Sequence, residues 1–357
     1  MSLIDYRQLE EAYNNDRIYS LQLEVGDVCC QACNYCYMNA LETPSNQLTD
    51  TLIARIIDDA ARLGITAVEW LGGEPLLRPG VFRLMAQAAE RNLRNNIWTG
   101  GLPLASEHVR RECMSVAQDG LISVHVSSID PKMYVRLHPG RPVEDLDTIL
   151  QGVRALLLAG YPAEQILNSV TYTGLQSAKD MIATIDLFED RFGIKTSLNV
   201  YHTYLRPGQT DRDLARFIPS PDQVARVYSR YKRQHGIAQV PMNCVDKQYC
   251  SATVAVLADG TVTPCATIRE SGAPRVTETR GLFDIFQKHR DHLIFKQFKD
   301  PANLPDRCRV CGLSSECWGC RSRAYAAGEG IYGDDPRCFR RATKPTERQM
   351  PKPQANK

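Results

Sequence analysis

What this sequence withholds narrows its function first. No apolar run approaches the ~20 residues that a membrane-spanning helix needs, so no membrane partner is expected. No charge of one sign dominates: 43 Lys and Arg stand against 41 Asp and Glu, a net +2. That balance offers no bulk attraction to nucleic acid or to an anionic bilayer. The first fifteen residues mix polar and charged side chains and do not read as an export signal, so a cytoplasmic location is expected. There is no internal repeat. Nor is the composition that of a disordered chain, since 43% of the 357 residues are hydrophobic and 24% charged. A chain of this length suits two domains, or one large domain with an appendage.

What is present in excess is cysteine: thirteen, at 29, 30, 33, 36, 113, 244, 250, 265, 308, 311, 317, 320 and 338. An odd count without an export signal argues against a disulfide framework, and clustered thiols in a reducing compartment more often hold metal. Cys113 stands alone in a helical stretch, where the plain reading is a small buried hydrophobe.

Strand-like and helix-like segments alternate along the first two thirds. Strands are expected at 18–25, 66–71, 96–99, 121–127, 166–171 and 195–201, with helices at 52–63, 81–91, 106–117, 146–159 and 178–192. Such alternation predicts a parallel sheet with right-handed crossovers. About six β/α units fall short of the eight of a complete TIM barrel, so the fold class is α/β, a partial (β/α)6 barrel. Barrel enzymes work at the carboxyl ends of their strands. Two motifs fall there: the Cys29–Cys36 loop and Gly72-Gly73-Glu74-Pro75. After Arg206-Pro207-Gly208 the composition changes. A helix is expected at 221–234, then a small region rich in Cys, Gly and Pro, which needs a staple that metal would supply. The boundaries expected are an N-terminal extension at 1–17, the barrel at 18–215, a linker helix at 216–243, a cysteine-rich domain at 244–340 and a disordered tail at 341–357.

Cys29, Cys33 and Cys36 form Cys-x3-Cys-x2-Cys with an aromatic, Tyr35, before the last thiol. Zinc would ordinarily want four ligands, and no fourth Cys or His lies at finger spacing. Three ligands on a four-iron cluster leave one iron open. This spacing, followed by Gly72-Gly73-Glu74-Pro75 after the second strand, resembles the radical SAM superfamily. The resemblance implies an open iron that chelates S-adenosylmethionine, whose reductive cleavage gives a 5′-deoxyadenosyl radical that abstracts hydrogen from substrate. It implies a cofactor-binding role for Gly72, Gly73, Glu74 and Pro75, with Glu74 either a counter-charge or a brace for the turn. Ser127, Ser128 and Asp130 follow the fourth strand, where relatives bind the ribose or carboxylate of the cofactor. His138 stands at the place of an Arg in a Leu-Arg-Gly-like stretch, with Arg136 or Arg141 as substitute carboxylate partners; a surface loop is the alternative for each. Cys30 breaks the spacing and reads as a bystander.

The later cysteines run Cys250-x9-Gly260-x4-Cys265, then Cys308-x2-Cys311-x5-Cys317-x2-Cys320, then Cys338, with Cys244 six residues before Cys250. Eight thiolates suffice for two four-cysteine sites, and a zinc ribbon is the structural alternative. The set resembles the SPASM extension of radical SAM maturases, apart from a gap of two residues rather than three between Cys317 and Cys320. By that resemblance Cys244, Cys250, Cys265 and Cys320 hold an inner auxiliary 4Fe-4S cluster, and Cys308, Cys311, Cys317 and Cys338 an outer one. The cofactors implied are S-adenosylmethionine and three 4Fe-4S clusters, one binding S-adenosylmethionine and two auxiliary. A reductant such as flavodoxin or ferredoxin is the implied protein partner. The substrate is a peptide, or else a small molecule such as a sugar or antibiotic intermediate handled by a dehydrogenase or epimerase. Ala266 stands where sulfatase maturases usually carry an acid, which lowers that reading. Only 17 residues precede the first strand, so a peptide substrate implies a separate leader-binding protein or a short recognition motif. An epimerase needs a thiol hydrogen donor, and Cys113 is the candidate for that case.

Overall fold

The computed structural model describes residues 4–38, 48–201, 211–235 and 247–340. Leu21 and Leu23 alternate with Ser20, Gln22 and Glu24 in β1 (Ser20–Glu24), so the strand carries one apolar and one polar face. The same alternation builds β2 (Ala67–Leu71), β3 (Arg94–Thr99), β4 (Leu121–Val124), β5 (Ile166–Tyr172) and β6 (Lys195–Val200). These six lie in sequence order, every neighbour pair parallel. The partial barrel expected from the alternation is therefore present.

The crossovers are helices. After α1 (Tyr6–Asn14) come α2 (Asp50–Arg62), α3 (Val81–Glu90), α4 (Glu107–Val116), α5 (Pro131–Leu137), α6 (Glu144–Leu158) and α7 (Ala178–Asp186). They start where short polar side chains can cap them. Thr49 accepts from Leu52 N, Ser106 from Val109 N, Asp130 from Met133 N and Ser177 from Asp180 N. Two of these helices lie outside the expected segments: α1, which buries Leu9 and Ala12 against Tyr19 and Ala252, and the seven-residue α5. Both are too short for their apolar periodicity to stand out.

Strand register sorts the sheet's two faces. Leu21, Leu23, Val68, Trp70, Ile97, Ile122 and Val124 join the helices in one continuous core. The other face carries Ser20, Gln22, Glu24, Glu69, Asn96, Trp98, Ser123, Ser169, Ser197 and Asn199. Complete barrels fill this inner face with branched apolar side chains. Here it is polar, and Glu69 ties it together low in the barrel. Its carboxylate accepts from Ser20 Oγ at 2.9 Å, Asn96 Nδ2 at 2.7 Å, Trp98 Nε1 at 2.6 Å and Tyr249 Oη at 3.1 Å.

The cysteine-rich C-terminal part is joined to the barrel through the sheet. After α8 (Asp211–Ala215), α9 (Pro221–His235) and α10 (Lys247–Ser251), strand β7 (Thr253–Val256) pairs parallel to β1. It turns back through β8 (Val262–Thr263), giving one eight-stranded sheet of order β6-β5-β4-β3-β2-β1-β7-β8. The reason is the unpaired edge that β1 would otherwise present. Helix α11 (Leu282–Leu293) packs on α2, and Val254, Leu282, Ile285 and Phe286 belong to the main core. Beyond α11 the chain turns at Phe295, whose φ is 50°. The turn delivers Phe295 and Phe298 to a second small core with Ile268, Leu304, Trp318 and Ile331, against which Cys265 and Cys308 pack. Among the described residues no helix is long and apolar enough to cross a membrane.

Candidate active site and cysteine centres

The first cysteine loop leaves the carboxyl end of β1 and is held by its neighbours' backbones. Gly73 N donates to Gly26 O at 2.8 Å and Glu74 N to Val28 O at 2.7 Å. A Cβ on Gly73 would stand 2.2 Å from Val28 O, and one on Gly72, whose φ is 145°, 2.5 Å from Gly26 O. The two glycines thus let the turn after β2 lie directly on the segment that enters the cysteine loop. Glu74 is a brace. Its buried carboxylate accepts from Thr99 Oγ1 at 2.8 Å, Gly100 N at 2.7 Å and Leu76 N at 3.1 Å. It joins the loops after β2 and β3, and burial pushes its pKa up to about 7 against those donors. Pro75 opens the short turn that Glu74 caps.

Inside the loop, Gln31 Nε2 donates to Gly100 O at 2.6 Å and to His125 O at 3.3 Å, pinning the loop to the ends of β3 and β4. Tyr35 explains the aromatic before the third thiol. Its ring packs with Leu137, Tyr201 and Phe217, and its hydroxyl meets His125 Nε2 at 2.8 Å and Ser127 Oγ at 3.1 Å. Asn34 binds the carbonyls of Arg136 and Leu137, so the loop reaches from β1 across to α5. Gln31 and His125 carried no signal in the sequence, because their partners are about 70 to 95 positions away.

Cys29, Cys33 and Cys36 are brought together. Burial pushes Cys29 up to about 12 and Cys33 well above the ordinary thiol range, and the charges of the neighbouring thiols raise both further. Without a metal to take their protons' place Cys29 and Cys33 stay protonated. Gln31 N points at Cys29 Sγ from 3.5 Å, the kind of backbone donor a metal-bound thiolate accepts. Cys30 is partly buried beside them, and burial and then the charge of Glu74 raise its pKa to about 11. Two polar atoms beside this loop are buried without a hydrogen-bond partner: Tyr134 Oη and His138 Nε2. Their rings stack at 4.3 Å, and the charges of Cys33 and Cys30 bear on Tyr134.

The other expected residues are placed as follows. Ser127 Oγ accepts from Tyr35 and from Thr171 N, and Ser128 Oγ donates to Asp180 at 2.7 Å. Asp130 is the exposed cap of α5. Arg136 is exposed in that helix's last turn, and its carbonyl takes the Asn34 amide. His138 is fully buried, with Nδ1 2.8 Å from Tyr134 O. Cys113 requires a correction. It lies at 0% exposure in the core between helices and sheet, on the face of β-sheet neighbours opposite to the polar lumen, and cannot pass hydrogen to a substrate at the strand ends.

Of the C-terminal cysteines, Cys244 lies outside the described residues. None of the twelve described cysteines is in a disulfide. Electrostatic coupling sorts the rest. Cys265 feels Cys320, whereas Cys308 feels Cys317 and Cys338. Leu313 N lies 3.5 Å from Cys311 Sγ and Gly319 N 3.3 Å from Cys317 Sγ, the same two-residue backbone-to-sulfur turn as at Cys29. The short Cys317–Cys320 gap is accommodated by Gly319 at φ 65°. Asp335 then fixes the end of that turn. It accepts from Cys320 N at 2.9 Å and forms a two-pronged, fully buried pair with Arg323 at 2.9 and 2.7 Å. Against burial, the Arg323 charge holds the Asp335 carboxyl below its usual range. Among the described residues no three His, Cys, Asp or Glu side chains converge as closely as a single ion would require.

The Cys265 loop packs against β1, near the segment that carries the first cysteines. Gln22 Oε1, on β1, accepts from Ala266 N at 2.8 Å, which docks the Cys265 loop on the inner face. Glu24, at the strand's end, is fully buried and bonded to Arg269 Nη2 at 2.7 Å and Ala258 N at 3.0 Å. Tyr37 sits between, its hydroxyl bonded to Glu24 and its pKa raised by burial and then by the charges of Glu24, Cys36 and Cys265.

Comparison with known proteins agrees with this geometry. Residues 23–188 match a sequence profile of the Radical SAM superfamily. An AdoMet-dependent heme synthase of Methanosarcina barkeri is 24% identical over 93% of this chain and 98% of its own. A PqqA peptide cyclase of Granulibacter bethesdensis is 26% identical over 89% of this chain and 86% of its own. Among solved structures, Streptococcus suis SuiB bound to S-adenosylmethionine superposes with a TM-score of 0.66 at 16% identity, covering 93% of this chain and 80% of that one. A further SuiB structure, with TM-score 0.64, 16% identity and coverage of 92% and 78%, holds the precursor peptide SuiA. The likeness to SuiB is one of fold.

Proposed function

This chain belongs to the radical SAM superfamily, and on that premise we propose that it removes two hydrogens from a peptide by radical chemistry. In this reading Cys29, Cys33 and Cys36 hold a 4Fe-4S cluster with one open iron. Gly72, Gly73 and the ends of β4 and β5 form the bed for S-adenosylmethionine. Cys244, Cys250, Cys265 and Cys320 hold an inner auxiliary cluster, and Cys308, Cys311, Cys317 and Cys338 an outer one. When bound, these groups supply a 5′-deoxyadenosyl radical that takes a hydrogen atom, and acceptors for the electron that the substrate must then lose. The chain's own part is to aim and to insulate. Tyr35 and Gln31 fix the first loop over the lumen. Glu69 closes the lumen low in the barrel with four donors satisfied. The polar wall of Ser169, Ser197 and Asn199 leaves room for a polar chain such as a peptide backbone.

The observation that supports the oxidative reading is the docking of the Cys265 loop on β1 beside Tyr37. The peptide cyclase relative supports a peptide substrate. The match to a heme synthase along nearly the whole chain favours a second reading, a small-molecule substrate oxidised in the same way. A flavodoxin or ferredoxin supplies the first electron, and the absence of disulfides among the described cysteines suits the reducing cytoplasm. The test is anaerobic incubation with S-adenosylmethionine, a reductant and peptides encoded beside the gene. Release of 5′-deoxyadenosine with a peptide lighter by two hydrogens is the expected result. A product of unchanged mass that carries one solvent deuterium would replace oxidation with epimerisation.

A further inference from the structure

Arg321 is a buried cation without a counter-charge. Its side chain belongs to a residue only 4% exposed. Nη1 donates to Ile331 O at 2.8 Å and Gly333 O at 2.7 Å, while Nε and Nη2 are buried with no partner. Among the described residues no carboxylate pairs with it, whereas Arg323, two residues on, is neutralised by Asp335. A charge left so is costly unless an anion belongs beside it. The place is marked by Gly319: the point where a Cβ would stand is 2.8 Å from Arg321 Nη2 and 3.5 Å from Cys308 Sγ. Phe298 covers the guanidinium, 5.4 Å from its ring centre, and keeps it from solvent.

We propose that Arg321 is the counter-ion of the outer cysteine centre, its two unpartnered N–H groups donating to the sulfurs of an anionic cluster on Cys308, Cys311, Cys317 and Cys338. The inference rests on the auxiliary-cluster reading above. A fixed cation and N–H···S donors stabilise the more negative, reduced cluster, so they raise its reduction potential. Arg321 is thus a positioning residue that makes the outer centre the easier of the two auxiliary centres to reduce. Gly319 is the small residue that lets the guanidinium reach the thiols, since any side chain there would occupy its place.

The experiment uses the full chain, reconstituted anaerobically, with iron assay and an EPR-monitored redox titration of wild type, Arg321→Met and Arg321→Lys. In the iron-replete Met variant the midpoint of one centre moves to lower potential and the others stay. The Lys variant, which keeps the charge and loses the fork, falls between. Loss of one cluster's iron in Met but not in Lys carries the same conclusion. Unchanged midpoints in an iron-replete Met variant would overturn the proposal. So would equal loss of iron in both variants, which marks a role in folding and not in charge. Wild-type protein that binds zinc in place of auxiliary iron would sink the cluster reading itself, before any variant is compared.

Discussion

The cysteine loop after β1 and the cysteines of the C-terminal region hold the same side chain in opposite electrical surroundings. The charges that bear on Cys29 are those of Glu74, Cys30 and Cys36, all of which oppose a thiolate. Around the later cysteines stand Arg321 beside Cys308 and Arg307 beside Cys338, while Arg323, beside Cys320, is paired with Asp335. The first set is held by neutral dipoles at strand ends, through Gln31, Tyr35 and the glycine ladder. The second is held by tight turns and buried ions. A centre poor in cations suits a cationic ligand such as a sulfonium; one rich in arginine suits a closed, anionic cluster.

The largest effect that would sharpen this contrast is expected from the ligands. Cys33→Ala abolishes release of 5′-deoxyadenosine, while Cys265→Ala leaves substrate-free release intact and abolishes product. Equal release from wild type and Cys33→Ala, followed by chromatography, would erase the distinction. Next comes Asp335→Asn, which strands the buried Arg323 charge. Breaking such a pair costs about 3–5 kcal/mol. Chemical denaturation should show that loss, and iron analysis should show depletion of the auxiliary centres ahead of the first. Gly73→Ala acts on the other side. Forcing a methyl against Val28 O costs about 1–3 kcal/mol, as overpacking does, and cleavage of S-adenosylmethionine should fall while auxiliary iron stays.

The smallest effect is one of pH. Burial holds His125 and His138 down to about 4 each. Unfolding returns them to about 6.5, so the unfolded chain binds more protons between those values. Stability is therefore full above about 6.5 and falls as pH drops toward 4. His138→Asn should flatten that fall in anaerobic thermal melts; an unchanged slope would remove His138 from the account.

How far the sequence could be read follows from the range of the interactions. The spacing of Cys29, Cys33 and Cys36, the Gly72–Pro75 turn and the six alternating units are local patterns, and local patterns are legible. Where a strand finds its partner is not local. The segment Thr253–Val256 is apolar, but nothing in it says that it forms a strand or that it caps the edge of β1, 233 positions earlier in register with Ser20. Gln31, His125, Asn168 and Asp335 likewise act on distant backbone or rings. Asn168 clamps Val126 through both amide atoms, at 3.0 and 3.1 Å, and continues the β4–β5 pairing beyond the ladder. Cys113 shows the converse, a chemically capable side chain that the fold keeps from any chemistry.

The central claim is that the two cysteine regions hold independent centres with separate tasks. Its most direct test is the triple variant Cys29→Ala, Cys33→Ala, Cys36→Ala, reconstituted beside wild type, with iron assay and EPR before and after S-adenosylmethionine. With four irons per cluster, wild type should bind about twelve and the variant about eight. S-adenosylmethionine should alter the wild-type spectrum and leave the variant's untouched. A variant stripped of all iron, or one whose spectrum still responds to S-adenosylmethionine, would contradict the account.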